Sequence, residues 1–158
     1  MANIAPFRII GIGSPFGDDQ LGWRVITALE VEPLNPNISL ARCEAPGSTL
    51  LQLMQGAQRV YLIDAVQTGA TPGTIQRWQG EEIATAQSDL SSHGIGVASV
   101  LALGKALGDL PPDIILYGVE IAMKPITYTV EGKMSAAVEN AIPILISMLK
   151  KEIETHFL

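Results

Sequence analysis

Sixteen residues near the start of the chain, Phe7-Arg-Ile-Ile-Gly-Ile-Gly-Ser-Pro-Phe-Gly-Asp-Asp-Gln-Leu-Gly22, constrain the fold more than any other stretch. Phe7 to Ile10 is an apolar, β-branched run of the kind that forms a central strand buried on both faces. Gly11 and Gly13 allow a sharp turn, and Pro15 and Gly17 stop the strand from continuing. Asp18 or Asp19 then falls where a helix N-cap is expected, ahead of the periodic apolar positions Leu21, Val25, Ile26 and Leu29. Two carboxylates are therefore expected at the mouth of a strand-to-helix turn.

Gly11-Ile-Gly13 followed by Gly17 comes close to the dinucleotide fingerprint G-x-G-x-x-G, but its spacing is one residue too long. A pyrophosphate also needs bare backbone N–H groups at the helix N-terminus, and two acids there would repel it. For either acid taken alone, capping the helix is the plain alternative to a functional role.

The chain of 158 residues is expected to form one domain over residues 1–158, since it is 47% apolar and 16% charged and shows no linker or tail. A formal charge of −6, with no Lys/Arg cluster, argues against a nucleic acid or an anionic membrane as partner. The opening Met-Ala-Asn-Ile-Ala-Pro lacks a signal peptide's basic region and apolar core, and no apolar run reaches spanning length, so a cytoplasmic protein is expected. Cys43 is the single cysteine, which excludes an intrachain disulfide or a C-x-x-C site. In an apolar strand it reads as buried filler before it reads as a nucleophile.

Further along, Arg24 to Val31 continues the first helix and Pro33 to Pro36 ends it. Ile38 to Cys43 reads as a strand, Glu44 to Ser48 as a turn, Thr49 to Ala57 as a helix, and Val60 to Asp64 as a strand that is apolar until its last residue. The turn-rich segment Gln67 to Gly73 leaves no room for a crossover helix, so the strand Thr74 to Trp78 is expected to run antiparallel at an edge. Gly80 to Leu90 is polar and poorly patterned. Val97 to Leu107 reads as a helix closed by Gly108, and Ile114 to Val119 as a buried strand ending at Glu120. Lys133 to about Ile153 forms the last helix, with Val138, Ile142, Leu145, Leu149 and Ile153 on one stripe and a kink expected at Pro143. Alternating strands and helices predict a three-layer α/β/α sandwich with a mostly parallel five-stranded sheet.

In such a sheet, functional groups gather beyond the carboxyl ends of the strands. Asp18 and Asp19 follow the first strand, Asp64 ends the third and Glu120 the last, and His93 precedes a helix that should return it to the same edge. Two carboxylates and an imidazole suit a divalent zinc, nickel or manganese ion with open positions. Each residue singly has a plain alternative, a cap for His93 and a turn for Asp64. His156 reads as a polar residue near the end of the last helix. The motifs H-E-x-x-H and G-x-S-x-G are absent.

Taken together, Gly11-Ile-Gly-Ser-Pro-Phe-Gly-Asp-Asp19-Gln-Leu-Gly22, Leu62-Ile-Asp64-Ala-Val, Pro72-Gly73-Thr74, Ser92-His93-Gly-Ile-Gly-Val and Leu107-Gly108 through Leu116-Tyr-Gly-Val-Glu120 resemble the hydrogenase maturation endopeptidases. The resemblance spans nearly the whole chain in order. It implies a protease that removes the C-terminal peptide of a nickel–iron hydrogenase large-subunit precursor after nickel insertion. By position it implies Asp19, Asp64 and His93 as both metal-binding and catalytic residues, the nickel being supplied by the precursor, with Asp18 in a supporting or capping role. Ser14, Glu44-Ala-Pro-Gly47 and Ile121 depart from the family pattern and leave those three residues intact. A non-hydrolytic chaperone using the same ligands is the alternative from another class. Acyl hydrolysis by Ser14 or Ser48, with His93 as base, is a third.

Overall fold

The computed structural model describes residues 6–44, 48–87, 96–122 and 133–157. Five strands, β1 (Phe7–Ile12), β2 (Ile38–Cys43), β3 (Arg59–Val66), β4 (Ile75–Gln79) and β5 (Asp113–Glu120), form one sheet in the order β2-β1-β3-β5-β4. All neighbouring pairs are parallel except β4 with β5. The expected mostly parallel α/β sandwich is therefore present, with the segment after the turn-rich loop antiparallel at an edge, as its short connection requires.

Side-chain alternation along the strands divides the interior in two. Ile9, Tyr61, Ile63, Ile115, Tyr117 and Val119 pack with α1 (Leu21–Glu30) and α5 (Ala136–Glu154) on one face. Ile10, Ile12, Val60, Leu62, Ile114 and Leu116 pack on the other with α2 (Ser48–Met54), α3 (Glu82–Gln87) and α4 (Val97–Leu107). A strand such as β1 must then be apolar at nearly every position. Cys43 lies inside the second core and is buried, as its setting predicts.

Three expectations are corrected. Neither Asp18 nor Asp19 caps α1, because a 3₁₀ turn at Gly17–Gln20 intervenes and Gln20 is the N-cap, with no side-chain capping bond. The polar stretch after Gly80 contains α3, a six-residue helix with Ile83 fully buried. One apolar anchor is too little to generate a helical period, and the packing comes from the tertiary structure. The last helix begins at Ala136 rather than Lys133, after the N-cap Ser135, and continues through Pro143 to Glu154. Pro143 lies on the exposed face, where the Glu139 carbonyl it deprives of a partner can reach water.

The glycines of the opening stretch serve close packing. A Cβ at Gly11 would stand 2.2 Å from the carbonyl oxygen of Gly22, and one at Gly22 would stand 2.3 Å from that of Ile12. The start of α1 thus rests directly on the backbone of β1, which places the intervening turn and its acids over the carboxyl edge of the sheet. Among the described residues, no helix is long and apolar enough to cross a membrane.

Candidate functional site

The site begins where β1 ends. Gly13 donates its N–H to the Cys43 carbonyl (2.9 Å), Ser14 donates to the Asp19 carbonyl (3.0 Å), and Asp19 donates to the Phe16 carbonyl (3.1 Å). The loop therefore closes on itself, and only glycine fits at position 13, where a Cβ would stand 2.3 Å from the Asp19 oxygen. Asp19 is fixed by its own backbone on both sides.

Asp64 comes from β3, which runs two residues past it, to Val66, rather than ending at the acid. Its register partner on β5 is Gly118, and the side chains of Trp78 and Val66 fill the position a Gly118 Cβ would take. The Ala65 N–H donates to Asp64 Oδ1 (2.8 Å). Burial pushes the Asp64 carboxyl well above the ordinary carboxylate range, the charge of Asp19 pushes it further, and the Ala65 bond offsets only part of this. Asp19 and Asp64 thus lie near enough for the charge of one to act on the other. Burial and the Asp64 charge likewise push the Cys43 thiol up, which keeps it protonated and a poor nucleophile.

His93 lies outside the described residues. The first described residue after it, Gly96, is the N-cap of α4, whose other end is closed by Gly108 in the left-handed conformation and leads into the start of β5. α4 therefore runs antiparallel to β5 with its N-terminus toward the carboxyl edge, on the face of the sheet that carries Asp64. Among the described residues alone, no three metal-ligating side chains form a group. Ser14 Oγ accepts the Phe16 N–H at 3.4 Å, whereas the side chain of Ser48 lies outside what is described. His156 is exposed past the end of α5, with its ring 5.3 Å from that of Phe7, at the opposite end of β1.

Two further acids are engaged in ways that local sequence does not show. Glu120 is fully buried and accepts from the Thr68 N–H (2.8 Å), Thr68 Oγ1 (2.5 Å), the Gly69 N–H (3.2 Å) and Gln76 Nε2 (3.4 Å). It ties the loop that follows Asp64 to the end of β5. Asp18 Oδ1 accepts the Ser135 N–H at 2.6 Å, and Asp18 Oδ2 accepts from Ser135 Oγ at 3.0 Å. An acid at the end of an apolar strand hints at the first role. The second depends on a residue 117 positions away.

As to chemistry, the carboxylate pair fits a divalent cation. When both are ionised, two neighbouring carboxylates repel, as the raised Asp64 carboxyl shows, and a cation between them would offset that repulsion.

Comparison with known proteins bears on what that pair belongs to. The family model described as hydrogenase maturation protease matches residues 24–152, a span that includes Asp64 and begins beyond Asp19. The hydrogenase expression/formation protein HupD of Thiocapsa roseopersicina is 31% identical over 71% of this chain, which spans 52% of that protein's length. The hydrogenase 2 maturation protease of Escherichia coli is 28% identical over 87% of this chain and 88% of its own. Among solved structures, the hydrogenase maturating endopeptidase HybD of E. coli superposes with a TM-score of 0.81 at 23% identity, covering 95% of this chain and 93% of its own. The [NiFe] hydrogenase maturation protease HybD of Thermococcus kodakarensis gives 0.70 at 19% identity, covering 92% and 97%. At those identities the structures establish the shared fold, and the family match establishes descent: the chain belongs to the hydrogenase maturation protease family.

Proposed function

We propose that this protein is an endopeptidase that removes the C-terminal extension of a nickel–iron hydrogenase large-subunit precursor once nickel has been inserted. The observation that supports the reading is the approach of Asp19 to Asp64 at the carboxyl edge, where the half-buried Asp64 carboxyl is raised by desolvation and then by the charge of Asp19. Such a pair is costly unless a cation or a proton sits with it. Family membership names the hydrogenase precursor as the class of partner.

Asp19 and Asp64 hold the precursor's nickel, and His93 supplies the third ligand. A cation held between them would favour the charged form of both carboxylates and offset the mutual repulsion that raises Asp64. The nickel belongs to the substrate and supplies orientation of the scissile peptide and Lewis-acid polarisation of its carbonyl. The protein's own share is to present two fixed carboxylates, so that a precursor without nickel engages them poorly and is left uncut. Asp19 is held by the closed 3₁₀ turn, and Asp64 by the sheet.

The test is cleavage of a precursor prepared with and without nickel, followed by the mass of the released tail. The nickel-loaded precursor is expected to lose its tail. Substituting Asp19→Ala, Asp64→Ala or His93→Ala should abolish the cut while leaving the folded spectrum unchanged. Full activity in all three variants rejects the assignment, and an unchanged mass with a stable complex identifies a non-hydrolytic chaperone instead.

A further inference from the structure

The sequence offers two adjacent acids, Asp18 and Asp19, and the proposed site needs one. We propose that Asp18 is a positioning residue: it fastens the 3₁₀ turn to the N-terminus of α5 and so fixes Asp19, without itself meeting the ion. This rests on the function proposed above, in that Asp19 is taken as the ligand.

The geometry at α5 carries the inference. Ser135 is the N-cap of that helix, with φ −67° and ψ 151°, and its Oγ accepts the Val138 N–H at 3.4 Å. In a capping box the reciprocal bond comes from a Glu or Gln at the third helical position, which takes the N–H of the capping residue itself. Here that position is Val138, which has nothing to offer. Asp18 fills the role from outside the helix, taking the Ser135 N–H at 2.6 Å and its hydroxyl at 3.0 Å.

Both Asp18 oxygens are therefore directed at α5, a 19-residue helix whose N-terminal dipole favours a negative charge at this spot. The next residue, Asp19, is held by the Phe16 and Ser14 backbone bonds, and it is the acid whose charge acts on Asp64. The division of labour follows from the turn. One acid is committed to a helix end, and its neighbour is left for the edge of the sheet. Partners that orient a ligand in this way ordinarily contribute strongly to metal affinity although they never touch the metal.

The experiment measures binding of nickel(II) alone by calorimetry, together with cleavage of a nickel-loaded precursor, in Asp18→Ala and Asp18→Asn. Asparagine keeps an oxygen for the Ser135 N–H and can donate its amide to Ser135 Oγ, so it preserves the fastening and removes the charge. Asp18→Ala should weaken nickel binding and kcat/KM by about 10- to 100-fold, and Asp18→Asn should restore both to within about threefold of the parent, the scale of a small residual change in one hydrogen bond. If Asp18→Asn is as impaired as Asp18→Ala, the charge is what matters and the proposal fails. It fails equally if Asp18→Ala binds nickel with parental affinity. Should Asp18→Ala not fold, Ser135→Gly keeps the N–H, removes the hydroxyl, and should weaken nickel binding roughly two- to tenfold, the scale of the net contribution of one ordinary hydrogen bond. Unchanged affinity there overturns the proposal. Asp19→Ala is the independent check: if it binds nickel as the parent does, the reading of Asp19 as ligand falls whatever the Asp18 variants show.

Discussion

At the scale of single residues, Asp64 stands where a charged carboxylate is costly to the fold. Its carboxyl is raised by burial and by Asp19, so the folded state holds a proton that the unfolded chain has already released. The stability associated with that proton is fully present below the unfolded value near 3.8 and is lost as pH rises through the higher folded value. Asp64→Asn abolishes the dependence. In metal-free protein the variant should be more stable than the parent at pH 8, on the order of 1 kcal/mol as is usual when a functional strain is relieved, and the gap should close toward pH 4. Thermal melts at the two pH values in the presence of a chelator test this, and a variant less stable than the parent at pH 8 would contradict it. The pairing of Asp19 with Asp64 is legible in the sequence because both follow apolar strands and parallel sheets present their carboxyl ends together. The employment of Asp18 is not. Aspartate is a favoured cap for the helix that follows it, and only the fold brings Ser135 within reach.

Among the elements, the contact between β1 and α1 decides the geometry of the site. Repeating glycines in a strand-to-helix turn have two readings, phosphate binding or close backbone approach, and the two acids that follow them weigh against the first. The structure shows close approach, since a Cβ at Gly11 would be driven to 2.2 Å from a backbone oxygen that cannot yield cheaply. Gly108 has a different reason to be glycine: it takes φ +67° at the end of α4, in open space. The two should therefore respond differently to alanine. Gly108→Ala should cost about 1–2 kcal/mol, the strain of a left-handed residue. Gly11→Ala should cost more than about 3 kcal/mol, in the range reserved for overpacked cores. Chemical denaturation of both variants tests the contrast, and equal losses would mean that α1 can lift off β1 freely. α3 shows where sequence reading stops, since a six-residue helix with the one anchor Ile83 carries no period of its own.

For the molecule as a whole, the end of the sheet remote from the acids is held by charge. Glu152 of α5 receives Arg77 Nε at 2.7 Å, Arg77 Nη2 at 3.1 Å, Arg59 Nη2 at 3.3 Å and the Tyr117 hydroxyl at 2.5 Å, while Arg59 also bonds the Tyr61 hydroxyl at 2.8 Å. α5 is thereby clamped to β3, β4 and β5 together near its C-terminal end, while Asp18 fastens its N-terminal end beside the site. Burial by itself would raise Glu152, but the bonds from Arg77 and Tyr117 outweigh it and hold the carboxyl down at about 2. Burial pushes the Tyr61 hydroxyl up to about 12, so it stays a neutral partner throughout the physiological range. A carboxyl depressed on folding contributes stability that is present above its unfolded value of 4.5 and is lost as pH falls toward about 2. Glu152→Gln removes the carboxylate that Arg77 pairs with and leaves Arg59 with Asp113 at 3.4 Å as its remaining anion. Since Arg59 is only 10% exposed, the loss at pH 7 should approach the 3–5 kcal/mol typical of a broken buried pair. That corresponds to a melting temperature lower by roughly 6–20 °C for a chain of this size. As the pH is lowered from 4.5 to 2, the parent loses this advantage and the two melting curves should converge. A difference that persists unchanged at pH 2 would assign the clamp to packing of the α5 side chains against the sheet rather than to the charge on Glu152.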